Sequence, residues 1–456
     1  MAGDRLTFWH RAGLGVLALV VVLFGGLVTY RSAFSTRRMG DVSMLFRAGW
    51  AARTGGSELY SMTSANGLHY HYPPTFAILM GGFADAPDGR DKVVALPFAA
   101  AVAVWYTINV VLVLLGIHLI ANVLESAGGS PPQRFGRRWW MLRALPFLVC
   151  VPCIGSTLNQ GQVTPLLFAL IAGSFWFHAK RRPLASGVTL ALAIAIKIFP
   201  AFLALAPLVG RESKRLAGIA LGLFVALVVV PCFYYGPSQT FTLYRELEEV
   251  LIGPAFGWGG DTSRKAELFH AAGPHSQSLV SAFNSIIHPD RATRPAVAAP
   301  LARALHWTVG GLMTLLTLAA FRYGRNRDEA SSLRRHVLFG GTLVLVMLLV
   351  CPVSHLHYLM LALPAAIALV GIDLADAGRL TRPTALWLAI HFLTVVLAQL
   401  PGLEPLKDKC LPAYGLIALW SGACWTGLRL GGYRVVWPDT FAGGWPAVVR
   451  VGAPSH

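Results

Sequence analysis

The residues of this chain that could do chemistry are polar groups set in, or hard against, apolar sequence. Asp41 stands shortly after the first long apolar run, in TRRMGDVSMLFRAGW. A carboxylate at a lipid–water boundary can act as a general base on a bound hydroxyl. Asp is also a common helix N-cap, and the apolar spacing of Val42, Leu45, Phe46, Gly49 and Trp50 predicts an amphipathic helix starting there, lying on the outer leaflet. Lys197 interrupts LALAIAIKIFPAFLALA. An ammonium at membrane depth costs roughly 3 kcal/mol unless it pairs, faces a polar cavity or snorkels to a surface. Near the outer half of a bilayer it would meet an anionic headgroup.

The stretch LHYHYPPTFAILM adds a second kind of chemistry. Pro73 and Pro74 push the preceding residues toward extended backbone, which puts His69 and His71 on one face and Tyr70 and Tyr72 on the other. Imidazole and phenol rings so arranged can stack on a sugar ring and hydrogen-bond its hydroxyls; an interfacial aromatic belt would use the tyrosines alone. His355 and His357 form another His-x-His pair, but acidic or cysteine co-ligands are not evident and no metal site is expected. STLNQGQVTPLL brings Asn159, Gln160 and Gln162 to a turn between two apolar spans, either as a capped helical hairpin or as ligand-binding amides.

Long apolar elements must position these groups. The 456 residues are 55% hydrophobic and 13% charged, and the apolar runs reach the length that crosses a bilayer. Spans are predicted at 11–30, 94–122, 144–158, 162–179, 215–235, 301–323, 336–351, 355–373, 383–400 and 411–430. The first, with no small-residue cleavage site after it, reads as a retained helix. Segment 183–210 is apolar but broken at Lys197 and Pro200, and basic clusters flank it on both sides; it reads as a broken hairpin that enters and leaves on one face.

The net charge of +17 does not point to nucleic acid, because the basic residues sit in short clusters between spans. Arg5, Arg11, Arg134, Arg137, Arg138, Arg143, 180–182, 211–215, 322–335, Arg379, Arg382, Arg429 and Arg434 all fall on one side, which the positive-inside rule makes cytoplasmic, the N-terminus included. The other side receives two long loops, about 31–93 and 236–300, and the short connections 159–161, 352–354 and 401–409. The whole chain, 1–456, reads as one membrane domain with short basic inner loops and tail. Cys150 and Cys153 have no second pair to complete a zinc site. A P-loop, a dinucleotide fingerprint and a soluble Asp-x-Asp domain are all missing, which leaves nucleotide-sugar chemistry on the inner face without a home. Nucleotides are scarce at the outer face, so an activated donor there would be lipid-linked.

Taken in order, the Asp after the first span, AGWAARTGGSELY, HYHYPP, NQGQVTPLL, ASGVTLALAIAIKIFPAFL and CPVSHLHYLMLALP resemble glycosyltransferase family 87, from about residue 41 to 370. The resemblance implies an all-α polytopic membrane protein of the GT-C type, with about 10–12 transmembrane helices, a broken hairpin and amphipathic outer loop helices. It implies an inverting hexosyltransferase, an α-mannosyltransferase foremost, that uses a polyprenyl-phosphate sugar donor and a glycolipid or glycan acceptor without a cofactor. Asp41 matches the catalytic base, and Lys197 and His357, with His355 beside them, match donor-phosphate contacts. Tyr60, His69, Tyr70, His71, Tyr72, Asn159, Gln160, Gln162 and Gln277 would line the sugar and acceptor pocket. Two positions depart from the family pattern: His355 where Trp is frequent, and Ser276 where Asn is usual. The competing class is a lipid or glycolipid flippase, which would also explain a broken hairpin and an intramembrane lysine.

Overall fold

The computed structural model describes residues 7–35, 40–64, 67–94, 96–127, 134–256, 275–295, 297–322, 329–431, 433–436 and 447–450. Arg5 and the stretch 257–274 of the second long loop lie outside the described residues.

In chain order the helices are α1 (Phe8–Ala33), α2 (Val42–Arg53), α3 (Pro74–Phe83), α4 (Phe98–Ser126), α5 (Arg137–Gln160), α6 (Thr164–Ala179), α7 (Pro183–Ile196) and α8 (Phe199–Val209). There follow α9 (Ser213–Tyr235), α10 (Pro237–Leu247), α11 (Leu279–Ile287), α12 (Pro300–Arg322), α13 (Glu329–Val350), α14 (Leu356–Asp376), α15 (Arg382–Leu397), α16 (Glu404–Asp408) and α17 (Leu411–Leu430). Each predicted span has a helix along it, and seven of these helices are long and apolar enough to cross a membrane. The protein is an all-α polytopic membrane protein; among the described residues a short antiparallel ladder follows α17, in which Tyr433 opposes Arg450.

α13 and α14 form the centre of the bundle, whereas α1 is 11% buried and shows Val16, Leu19, Val22 and Leu23 to the surroundings, as a lipid-facing helix should. α1 is tied on by the Tyr106 hydroxyl of α4, which donates to the Val21 carbonyl at 2.8 Å. Bilayer lipid is as apolar as Leu, so close helix packing here uses small residues. Gly187 of α7 and Gly218 of α9 show this, since a Cβ on either would run into the backbone carbonyl of Arg215 or Leu184.

The hairpin is broken where the sequence places it. Lys197 leaves helical geometry at φ −146°, ψ 126°. Pro200 has no N–H to return to the Ile196 carbonyl, so α7 cannot continue. At about 1.5 Å per residue, the 14 residues of α7 carry Lys197 roughly 20 Å from the basic end of the bundle. α9 holds a second irregularity. Pro231 cannot donate to Leu227, the helix widens into a π turn over Val225–Val229, and the Leu227 carbonyl accepts instead from the Tyr244 hydroxyl of α10 at 2.5 Å. The neighbouring Ala226 carbonyl accepts from the Thr75 hydroxyl of α3, also at 2.5 Å.

α2 forms at the expected residues, but it does not lie on a leaflet. Every residue from Val42 to Ala52 is buried. The Phe46 ring stacks on Phe83 at 5.5 Å and meets Phe98 edge-on at 5.8 Å, while Arg47 donates to the Thr63 carbonyl at 2.6 Å and Trp50 to the Asp91 carbonyl at 2.9 Å. The apolar face that suggested a membrane surface is covered by protein, and Arg47 and Trp50 are spent on loop carbonyls.

Candidate functional site

Asp41 holds the position before α2, yet its side chain makes no capping bond. Its carboxylate instead accepts from the Gln162 amide, and its backbone N–H donates to the Gln160 carbonyl at 2.9 Å. The turn that does this depends on Gly161, which sits at φ 64°, ψ 33° with no room beneath it: a Cβ there would come within 2.7 Å of Val42. Trp105 of α4 pins the same glycine by donating to its carbonyl at 2.8 Å. The NQGQ turn is thus the mount for Asp41. Asn159 and Gln160 are half-buried beside it, and Gln162, almost fully buried, is turned to the carboxylate rather than to an open pocket.

Lys197 reaches the same region from the hairpin tip. Its Nζ donates to the Tyr358 hydroxyl at 2.5 Å and to the Tyr72 hydroxyl at 3.4 Å, and it lies 4.0 Å from the Tyr358 ring centroid, 5.0 Å from Tyr72 and 5.5 Å from Phe199. Asp41 is close enough to act electrostatically on Lys197, Tyr72 and Tyr358. Burial first, and then the Asp41 charge, holds the Tyr72 phenol above its ordinary range, so it stays a hydroxyl at neutral pH.

The HYHYPP segment alternates as its extended backbone requires. His69 and His71 are half-buried with rings 6.3 Å apart, while Tyr70 and Tyr72 are buried with rings 5.5 Å apart. Two of the expected pocket residues are not at an open surface. The Tyr60 hydroxyl donates to the Tyr72 carbonyl at 2.9 Å and the Tyr70 hydroxyl to the Pro73 carbonyl at 3.0 Å, both inside the core. These two phenols fold the HYHYPP segment rather than line its face, because a buried hydroxyl takes the nearest free carbonyl.

The connection into α14 completes the cluster. His357 is buried, its Nε2 has no hydrogen-bond partner, and its ring stands edge-on to Tyr358 at 4.3 Å. Part of the His355 ring reaches the surface, with Nδ1 3.3 Å from the His275 carbonyl. Burial foremost, offset by that hydrogen bond and reinforced by Lys197, pushes its imidazole down to about 4. Gln277, also expected in the pocket, is instead fully buried: its N–H donates to the Ser354 carbonyl at 2.5 Å and its amide to the Lys407 carbonyl at 3.2 Å. It ties the second long loop to two other connections. Tyr358 was not singled out from the sequence, although it directly follows His357; nothing in its spacing marks a phenol that will meet a lysine 161 residues away.

Among the described residues one group of three could ligate a metal, His178, Glu212 and His336, and it lies at the basic end. Its two imidazoles are stacked 3.8 Å apart and 5° from parallel, so their lone pairs do not converge, and Arg215 lies 3.2 Å from His336 Nε2. A guanidinium in that place serves the cluster as its cation.

The fold and site define a class: a multi-pass membrane protein with a carboxylate and an ammonium brought together at the end of the bundle away from its basic loops. The chain belongs to glycosyltransferase family 87, which it matches over residues 70–352. It is therefore a glycosyltransferase. No curated protein and no solved structure matches it. Lys197, Tyr72 and the NQGQ turn lie within the matched residues; Asp41 and the 355–358 segment lie outside them and join the site through the fold.

Proposed function

We propose that this glycosyltransferase moves a hexose, mannose foremost, from a polyprenyl monophosphate carrier to a hydroxyl of a glycolipid or glycan acceptor. The site would face the outside of the cytoplasmic membrane, opposite the basic inner loops, with the N-terminus inside. The observation that carries this reading is the meeting of Asp41 and Lys197, which reach one place on separate elements and are both half-buried there. Asp41 takes the acceptor proton as the acceptor oxygen bonds to C1 of the sugar. The bond from C1 to the phosphate oxygen breaks, and its electron pair leaves on the phosphate. Lys197, with His355 and His357 beside it, stabilises that departing charge in surroundings of low dielectric. Attack from the face opposite the phosphate inverts C1, so a β-linked donor gives an α-linked product. His69, His71, Asn159 and Gln160 are half-buried, and they would meet sugar and acceptor hydroxyls.

The test is transfer of radiolabelled mannose from synthetic polyprenyl phosphate mannose to a membrane lipid extract, in liposomes. Loss of a general base costs about 10²–10⁴ in rate, so Asp41→Asn is expected to lose transfer to that extent while keeping its thermal stability. Equal transfer by both proteins would remove Asp41 from the chemistry. Movement of intact donor lipid across the liposome with no labelled product would make the protein a flippase.

A further inference from the structure

Lys197 offers a consequence that concerns the tyrosines around it. A lysine ammonium has three N–H donors and no acceptor, so in both of its hydrogen bonds the phenol oxygen must accept. That leaves the hydroxyl hydrogens of Tyr358 and Tyr72 unspent. Among the described residues neither hydroxyl donates to a protein acceptor, and Lys197 makes no ion pair. The contrast with Tyr60 and Tyr70, whose hydroxyls are used up on backbone carbonyls, is sharp: Tyr60, Tyr70 and Tyr72 form one row of rings, Tyr358 joins them through Lys197, and of the four only the two that touch Lys197 keep a proton to give.

We infer that the Tyr358 and Tyr72 hydroxyls, turned outward by Lys197, are ligands of the donor's phosphate, so that one ammonium and two phenols together form its anion site. The inference rests on the polyprenyl-phosphate donor proposed above and adds residues to which no role has been given in that step. The lysine sets the direction of both hydroxyls before the substrate arrives, because their lone pairs face the ammonium and their hydrogens cannot. The rings hold the ammonium from the side, with Tyr358 at 4.0 Å and Phe199 at 5.5 Å, which keeps it from folding back toward the basic end. Both phenols are neutral at physiological pH, so the site adds donors to the phosphate without adding charge. Tyr358 is half-buried and Tyr72 more deeply set, so Tyr358 is the one in freer contact with an incoming headgroup.

The experiment measures binding of farnesyl phosphate and of farnesol to the purified protein in nanodiscs, for wild type, Tyr358→Phe and Tyr72→Phe. Each substitution keeps the ring and removes the hydroxyl. A hydrogen bond to a charged group corresponds to about a ten- to hundredfold change, so Tyr358→Phe is expected to weaken farnesyl phosphate by at least tenfold and leave farnesol unchanged. A purely structural tyrosine would move both ligands together. Should Tyr358→Phe not fold, Tyr72→Phe carries the same expectation. If wild type prefers farnesyl phosphate to farnesol and both Phe variants keep that preference undiminished, the inference fails while the donor stands. If wild type itself does not distinguish phosphate from alcohol, the phosphate donor fails, and the inference with it.

Discussion

The basic end of this bundle and the candidate site both hold charge among apolar side chains, and they treat it in opposite ways. At the basic end Arg143 grips both Glu125 oxygens at 2.6 and 2.9 Å, reaches Asn122 at 2.8 Å and lies 4.2 Å over the Trp139 ring. Arg215, Arg334 and Arg429 likewise close on Glu212, Asp376 and Asp373. These charges are complete within the protein. At the site Lys197 has phenols for partners, and the Asp41 carboxylate accepts from an amide. The difference separates two uses of a buried charge. A closed pair joins helices; a cation held by neutral acceptors keeps its field for something that is not part of the chain.

That contrast predicts opposite costs. Lys197→Met should cut transfer about a hundredfold or more, the scale seen when one stabilising donor is removed from an active site. Its thermal midpoint in detergent should hold or rise, because a desolvated ammonium with no direct ion pair is replaced by an apolar chain. A fall of several degrees would mean that the lysine is a structural strut, and the two regions would no longer differ. Arg143→Met should do the reverse. It orphans Glu125 where the two side chains are only 8% and 12% exposed, at a cost of about 3–5 kcal/mol, with turnover per folded molecule unchanged. Adding Glu125→Met should restore most of the loss, and a double variant as unstable as the single one would sink the pairing argument.

The smallest effect concerns pH. His355 titrates near 4 in the folded protein against an ordinary value near 6.5, so between those values the unfolded chain binds the proton and the native one does not. Stability is therefore full above about 6.5 and declines as pH falls toward 4. Melting curves at pH 7 and pH 5 should show a smaller acid loss for His355→Gln than for wild type. Identical losses would remove His355 as a source of that sensitivity.

Much of the fold was legible in the sequence because the bilayer's demand is simple: length, low polarity and basic flanks. The spans, the break at Lys197 and the position of α2 all follow from patterns within a few residues of one another. The burial of α2 does not, because periodicity shows that a face is apolar and is silent on whether lipid or protein covers it. The site was legible in part. Asp41, Lys197 and the NQGQ turn stood out as polar groups in apolar sequence, but the bond from Gln162 to Asp41 spans 121 residues and the one from Tyr72 to Lys197 spans 125. Tyr60, Tyr70 and Gln277 show the converse. Their residue types suit a pocket, and only the packing shows that their polar atoms hold loops together.

α6 and α7 lie side by side and are locked at their inner thirds by reciprocal bonds, Ser174 hydroxyl to Ser186 carbonyl at 2.9 Å and Ser186 hydroxyl to Ser174 carbonyl at 2.8 Å. Just before the far end of α6 sits Gln162, which sets Asp41; just past the far end of α7 is Lys197. The two helices work as a pair of calipers with the serines as pivot, and the opening between their tips gauges what fits between base and cation. A register slip of one residue at the pivot would reset that gauge without touching a single group that meets the substrate.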